Sequence, residues 1–205
     1  MLRLHEVHPI AVHLPIAMLP VAIGADLAGS ANDDEALLSF GQKAIAVAAA
    51  GAGFSVLTGL IAGEEVNVEG RPRDMLMTHR NLNLAAASVA MGMAIWRANR
   101  SRPSTSYLGL GLIGTALLGY TGYLGGKIVY EAGAGVTAAE GVYREDAPAF
   151  RAGEVRAALA DSATDLVHGI QHMAEEIADG KVAPAITRPG EKVESPASSP
   201  RARPD

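Results

Sequence analysis

Residues 104–126, STSYLGLGLIGTALLGYTGYLGG, run for 23 positions without a charged side chain. A helix of about 20 apolar residues is long enough to cross the hydrocarbon core of a bilayer. Gly111, Thr115 and Gly119 recur at every fourth position, a spacing that lets helix backbones approach closely inside a membrane. This stretch therefore predicts a transmembrane helix that packs tightly against its neighbours.

Three further apolar runs precede it, at residues 9–28, 44–63 and 80–97. The first is interrupted only by His13 and Asp26, and the second contains no charge. The third is the shortest and spans a bilayer only if its polar ends and Trp96 work at the interfaces. A signal peptide is the competing interpretation of the first run, since Arg3 precedes it and small residues follow it. Four runs joined by short loops predict an all-α fold, a four-helix transmembrane up-and-down bundle.

Composition agrees with a protein of the lipid bilayer and excludes several kinds of site. Hydrophobic residues make up 49% of the chain and charged residues 19%. The absence of cysteine excludes disulfides, thiolate metal sites and covalently attached c-type haem. A net charge of −5 argues against a nucleic-acid partner. The sequence has no nucleotide-binding loop, Gly-x-Ser-x-Gly elbow or His-Glu-x-x-His zinc helix, so we do not expect a hydrolytic enzyme.

The chain divides into three parts by composition. We expect a membrane domain over residues 1–137 and an extramembrane part over 138–181. The second part contains an apolar stripe at helical spacing, which predicts an amphipathic helix near residues 148–180. Residues 182–205 are rich in proline, serine and arginine, and this composition predicts a disordered tail.

Two histidines of the amphipathic helix form a possible metal site. His168 and His172 stand at positions i and i+4, a spacing that can present two imidazoles to one metal, with Asp165 or Glu175 nearby. The pattern lacks a third ligand of defined geometry. A solvated polar face is therefore the simpler interpretation.

Three other histidines collect at one end of the predicted bundle. His8 precedes the first run, His13 lies about one turn inside it, and His79 opens the third run. An up-and-down topology brings them to the same membrane face as Arg73 and Arg80. An ionisable ring inside an apolar segment is costly without a partner. We therefore expect His13 and His79 to face each other inside the bundle, with His8 as a reserve ligand.

Two imidazoles from different helices of a bundle can hold the iron of a b-type haem from both sides, and Arg73 and Arg80 can bind its propionates. This pattern predicts an electron-transfer or redox subunit with haem b at His13 and His79, rather than a stand-alone enzyme. Its partner would be a redox protein or a larger membrane complex. Two alternatives stay open. The histidines can serve a membrane protein with another metal or without a cofactor, and the chain can be a structural or assembly subunit or form a homo-oligomer.

Four short motifs carry a resemblance: HPIAVHLPIA at residues 8–17, TGL at 58–60, HR at 79–80 and GYLGGKIVYE at 122–131. They resemble the bacterial membrane proteins grouped as domain of unknown function 2231, over roughly residues 5–137. Some members of that family carry c-type cytochrome modules, which implies a redox setting and an outer-face location for the histidine side. Ala132 stands where the family typically has a histidine. The resemblance thus supports His8, His13 and His79 rather than a site beyond Ala132.

Basic residues near the membrane bear on orientation. Those of the histidine face outnumber those of the other face: Arg3, Arg71, Arg73, Arg80, Lys127 and Arg144 against Lys43, Arg97, Arg100 and Arg102. The count favours the histidine face inside, because cytoplasmic loops are enriched in Lys and Arg. The most concentrated basic loop, at residues 97–102, and the resemblance favour it outside. We expect a multi-pass protein of the bacterial inner membrane with its histidine side in the periplasm.

Overall fold

A computed structural model describes residues 2–66, 68–133, 149–150 and 153–187. Nearly all of these residues are helical, which confirms the predicted helical class. In chain order the helices are α1 (Leu4–Ala11), α2 (His13–Asn32), α3 (Glu35–Glu64), α4 (Arg71–Ala98), α5 (Thr105–Ala132), α6 (Val155–Ala178) and α7 (Pro184–Thr187). Two short strands, β1 (Leu2–Arg3) and β2 (Ala149–Phe150), pair antiparallel.

Helices α2 to α5 pack side by side as a helical bundle. α2 and α4 each pack against both α3 and α5, while α1 lies on α3. Small residues let the backbones approach closely, because a Cβ atom on Gly111 would lie 2.2 Å from Cδ1 of Ile23. The core is built from small and branched apolar side chains with a few larger ones: Leu19, Ala22, Ile23, Ala44, Ile45, Ala48, Met93 and Tyr107.

Three of the helical segments are long and apolar enough to cross a membrane: Val7–Asn32, Glu35–Glu64 and Thr105–Glu131. They correspond to the first, second and fourth predicted runs. α4 covers the third run and has 28 residues, but it is not apolar enough to be counted with them. Large apolar side chains such as Ile10, Phe54 and Ile113 are exposed on the outside of these segments, as a lipid-facing surface requires. A fourth span stays a prediction.

A buried ion pair holds the end of the bundle that is remote from the predicted histidine cluster. Arg97, near the end of α4, donates to both carboxylate oxygens of Asp26 on α2, with its shortest contact at 2.9 Å. Both side chains are fully buried. The same guanidinium donates to the carbonyl oxygen of Leu38 at 2.8 Å and to that of Arg100. Gly41 makes room for this pair, because a Cβ atom there would lie 2.5 Å from Oδ1 of Asp26.

The C-terminal part differs from the prediction at both boundaries. The amphipathic helix begins at Val155 rather than near residue 148, because β2 pairs with β1 and Gly153 adopts a positive φ of 91°. Residues 182–187, expected in the disordered tail, instead include α7, which packs on α4. Polar groups of α4 satisfy the α7 backbone, since Thr78 Oγ1 accepts from the amide of Ala185 at 3.0 Å. The remaining predicted tail, 188–205, lies outside the described residues.

Candidate functional site

Two imidazole rings meet between α1 and α4. The ring centroids of His8 and His79 are 6.5 Å apart, and the ring planes are nearly perpendicular at 88°. His8 lies in the last turn of α1, and α1 packs on α3. His79 lies in the first half of α4 and faces α5, because its ring nitrogen contacts the backbone of Thr121. The pair therefore links elements that are distant in sequence.

The His8 ring is oriented by α3. Its Nδ1 atom lies 3.3 Å from Oγ1 of Thr58, and that hydroxyl donates to the carbonyl oxygens of Phe54 and Ser55 at 3.1 Å each. Because the hydroxyl hydrogen is used by these carbonyls, Oγ1 accepts from the Nδ1–H of His8. This network assigns the lone pair of the neutral ring to Nε2.

The His79 ring is oriented by α5, again through a hydrogen bond from Nδ1–H to an oxygen. Its Nδ1–H donates to the carbonyl oxygen of Thr121 at 2.8 Å, so Nε2 carries the lone pair. The side-chain amide of Asn83 approaches that Nε2 at 3.3 Å, and Oγ1 of Thr121 donates to Oδ1 of Asn83 at 3.1 Å. Metal-binding histidines are oriented by such N–H bonds to oxygen acceptors. Both rings therefore have the tautomer that a metal at Nε2 requires.

Two glycines provide the space for these rings. A Cβ atom on Gly59 would lie 2.8 Å from Cε1 of His8, and one on Gly125 would lie 3.0 Å from Cε1 of His79. Real Cβ atoms almost never approach as closely as the first distance, and the second is tighter than most real contacts, so alanine at either position would displace the ring. Gly63 and Gly122, one turn from them, have open space in that direction.

A cavity of about 770 Å³ opens beside the ring pair. Its volume falls in the range of sites for cofactors and drug-sized ligands. Most of its wall is apolar, and its polar side chains include His8, His13, Arg73, His79, Arg80 and Asn83. The site thus combines an apolar body with imidazole and guanidinium groups.

The facing pair differs from the one expected from the sequence. His13 lies on the cavity wall, but its side chain is exposed and its Nδ1 atom contacts the carbonyl oxygen of Pro9. The partner of the His79 ring is His8, which we expected only as a reserve ligand. Val12, between α1 and α2, keeps helical dihedral angles. Five positions along a nearly continuous helix rotate a side chain by roughly 140°, so His8 and His13 point to different sides.

The two arginines expected at the site are engaged by a residue that sequence reasoning missed. Arg73 and Arg80 each donate to the carboxylate of Glu176 on α6 at 2.6 Å. Burial alone would raise the pKa of Glu176, but the hydrogen bonds from Arg80 and Arg73 outweigh it and hold the pKa below its ordinary value.

A sequence signal for this contact existed in the stripe of small and polar residues on α6. Ser162, Asp165 and Gly169 are buried at helical spacing, and Glu176 continues that side. The apolar residues of α6, by contrast, include exposed side chains such as Leu159. Apolar spacing alone therefore identifies the wrong face of α6 as the one that meets the bundle.

A family comparison bears on this arrangement. The model of a family described as predicted membrane protein (DUF2231) matches residues 4–138. The chain belongs to the DUF2231 family. A search of curated proteins and a search of solved structures find no significant match. The match covers both rings of the pair, both glycines and both arginines, whereas α6 and α7 of this DUF2231 protein lie beyond it.

The second predicted metal site lies on α6, outside the family match. The rings of His168 and His172 are exposed, with centroids 6.4 Å apart, and Nδ1 of His172 lies 2.9 Å from Oε2 of Glu64. Within the described part of this DUF2231 chain, no group of three or more His, Asp or Glu side chains is placed to hold a metal ion. A metal at His168 and His172 stays a prediction.

Proposed function

We propose that this DUF2231 protein is a b-type haem-binding subunit for electron transfer or redox sensing, with His8 and His79 as the two axial ligands. The observation that carries the proposal is the pair of rings from α1 and α4, 6.5 Å apart beside a large apolar cavity. Haem bound through two imidazoles needs no cysteine, and the chain has none. The haem would carry the redox change, and the protein would hold and orient it.

The set of donor atoms favours haem over a bare metal ion. Two imidazole side chains converge, those of His8 and His79, and the described residues offer no group of three ligands for a metal. A porphyrin supplies four nitrogens and leaves two positions for the protein. His8 and His79 would hold the iron through their imidazole nitrogens, and the apolar cavity beside them would take the porphyrin.

The proposal includes a fourth membrane crossing by α4. Several of its polar side chains lie inward or in an ion pair: Thr78 and Asn81 are buried, and Arg97 is paired with Asp26. Its outward side includes exposed Met91 and Ile95. A helix whose polar groups are satisfied inside a bundle is compatible with lipid on its other side. We place the resulting protein in the bacterial inner membrane with the histidine end towards the periplasm.

The test is the absorption spectrum of full-length protein purified in detergent from cells grown with a haem precursor. We expect a Soret band and the sharp reduced α band of six-coordinate haem b. His8→Ala and His79→Ala each remove one axial ligand, so the six-coordinate spectrum should be lost in both. His13→Ala is the matched control, because this exposed ring is not part of the pair, and it should retain the spectrum. Wild-type protein without a Soret band would overturn the proposal.

A second candidate is a structural or assembly subunit of a larger membrane complex. One observation favours it: the outer side of α6 has exposed apolar residues, including Val155, Leu159, Val167, Ile170 and Ile177. Such a surface is typical of an interface with another protein. This candidate predicts colourless protein that co-purifies with a larger complex and tolerates both His8→Ala and His79→Ala.

A further inference from the structure

The polar end of the cavity is covered by α6. Gly169 and Met173 of α6 belong to the cavity wall, together with Arg73 and Arg80 of α4. α6 can lie this close because Gly169 has no side chain, and a Cβ atom there would be 2.9 Å from the carbonyl oxygen of Leu60. A molecule that extends from the apolar cavity towards the arginines therefore meets α6.

A single carboxylate, that of Glu176, is paired with both arginines. Oε1 of Glu176 accepts from Arg73 and Oε2 accepts from Arg80, each at 2.6 Å. The side chains of Arg80 and Glu176 are 14% and 13% exposed, so this contact is largely shielded from water, whereas Arg73 is 33% exposed. Two guanidinium groups directed at the two oxygens of one carboxylate form a site with the geometry and charge for a carboxylate. In this structure α6 itself supplies that group.

We infer that Arg73 and Arg80 are the ligand-carboxylate site of the cavity, and that Glu176 fills it until an amphipathic carboxylate with an apolar body displaces it. For the haem of the proposed function, on which this inference rests, the displacing group is a propionate. We call the contact of Arg73 and Arg80 with Glu176 the carboxylate latch. Because Glu176 belongs to the helix that covers the cavity, filling the site with a ligand releases that part of α6.

The remaining contacts define which part of the cover is released. α7 has its own attachment to α4, since Asn81 Nδ2 donates to the carbonyl oxygen of Val182 at 2.9 Å and Thr78 accepts from Ala185. Near the latch, α6 has another contact, that of the exposed His172 with Glu64 of α3. Because α7 is attached to α4 separately, opening of the latch loosens the second half of α6 while α7 stays in place.

The experiment compares two iron porphyrins that differ at the two propionates, which are free carboxylates in one and methyl esters in the other. Full-length protein in an uncharged detergent is loaded with hemin or with hemin dimethyl ester, and amide hydrogen exchange is followed in α6. The iron of both probes can bind the imidazoles, but only hemin carries free carboxylates. We expect hemin to increase exchange over residues 169–178 and the ester to leave it unchanged, although both give the same low-spin spectrum.

Substitutions in the latch give a second measurement. Glu176→Gln removes the internal competitor, so it should bind hemin roughly tenfold more tightly than wild type and bind the ester with unchanged affinity. Glu175→Gln is the matched control, because Glu175 is exposed on the same turn, and it should match wild type with both probes. Arg73→Gln should weaken the binding of hemin and leave the binding of the ester unchanged.

The outcomes separate this inference from the proposed function. If both probes give a low-spin spectrum, equal α6 exchange with the two probes and unchanged hemin affinity in Glu176→Gln overturn the latch and leave the haem proposal standing. If neither probe gives a low-spin spectrum, the haem proposal falls. Oleate and oleyl alcohol then decide the latch: increased α6 exchange with oleate alone supports it, and unchanged exchange overturns it.

Discussion

At the residue scale, the positions of the two rings depend on two glycines, which have no Cβ atom. Gly59→Ala would place a Cβ atom 2.8 Å from Cε1 of His8, and Gly125→Ala would place one 3.0 Å from Cε1 of His79. Each ring must shift away from the new methyl group, by more at His8 than at His79, which strains the Nδ1 hydrogen bond that orients it. We expect each variant to lose the six-coordinate haem spectrum at a cost of about 1–3 kcal/mol in stability from overpacking. Optical spectra and detergent unfolding measure the two effects.

Two other glycines provide controls of identical chemistry. Gly53→Ala and Gly119→Ala add the same methyl group to the same two helices, away from the cavity wall, where nothing lies within 4 Å. They should keep the spectrum, and alanine in place of glycine should gain up to about 1 kcal/mol in helix propensity. Equal spectra for all four variants would show that the glycines do not position the rings.

The histidine end was predictable from the sequence, but the facing pair was not. An up-and-down topology of the apolar runs places His8, His13 and His79 at one end of the bundle. Depth in an apolar run favoured His13, yet depth does not specify which side of a helix a ring is on. That side is set by the packing of α1 on α3, where Thr58 and Gly59 receive His8. A long-range contact of this kind has no signature in local spacing.

At the element scale, the Asp26–Arg97 pair connects α2, α3 and α4 at the remote end of the bundle. Asp26→Asn leaves the buried guanidinium of Arg97 without its countercharge, which costs about 3–5 kcal/mol. Arg97→Lys should be similarly destabilised, because one ammonium cannot reproduce the donors to Asp26 and Leu38. Unfolding of purified protein by increasing sodium dodecyl sulfate measures both losses.

An exposed ion pair near the same end is the control for that measurement. Arg102 contacts Asp33 and Glu35 at 2.6 and 2.7 Å, but all three side chains are largely exposed. Surface pairs contribute little, so Arg102→Gln should change stability by less than about 1 kcal/mol. A loss in Arg102→Gln as large as in Asp26→Asn would contradict the assigned role of the buried pair.

The attachment of α6 should depend on pH. The arginines hold the pKa of Glu176 below its ordinary value of 4.5 in the folded state, so its stabilising contribution is complete above that value. The contribution is lost as the pH falls through the lowered pKa. We expect hydrogen exchange in α6, corrected for its intrinsic pH dependence, to show protection at pH 7 that declines below about pH 4.5.

Two variants separate Glu176 from a second titratable contact of α6, that of His172 with Glu64. Glu176→Gln should remove the pH-dependent step, because its amide does not titrate. His172→Gln should keep the step, although it breaks the contact with Glu64. If the pH-dependent step persists in Glu176→Gln and disappears in His172→Gln, His172 rather than Glu176 is responsible for it, and the prediction is wrong.

Element lengths were only partly readable from composition. The uncharged run at residues 44–63 predicted a helix, but α3 begins nine residues earlier, at Glu35, where Asp34 accepts from the amides of Ala36 and Leu37. Hydropathy identifies the apolar part of a helix that can face lipid. It does not show how far the helix continues into a polar end that is stabilised by a capping residue. α7 was missed for a related reason, because its stability comes from contacts with α4 rather than from its own composition.

At the scale of the whole molecule, the polar groups lie at two ends of an apolar bundle. The rings, Arg73 and Arg80 lie at one end, and the Asp26–Arg97 pair lies at the other. The absence of cysteine allows single-cysteine labelling to determine which end faces out. Glu69→Cys and Ser101→Cys are exposed positions in the loops at these two ends.

The proposed orientation makes a direct prediction for these two variants. An impermeant maleimide applied to spheroplasts should label Glu69→Cys, and it should label Ser101→Cys only after the membrane is opened. The physical reason is that four crossings place the two loops on opposite sides of the bilayer. Labelling of Ser101→Cys in intact spheroplasts would reverse the orientation, and labelling of both would contradict the fourth crossing.

In the proposed function, His8 and His79 hold one haem iron between them. The most direct measurement is electron paramagnetic resonance of the oxidised, haem-loaded full-length protein. We predict a low-spin ferric signal in wild type and in His13→Ala, with the strong anisotropy expected from ring planes at 88°. His8→Ala and His79→Ala should each convert it to a high-spin signal or lose the haem. A low-spin signal that survives in both of these variants, or its absence from wild type, would contradict the account.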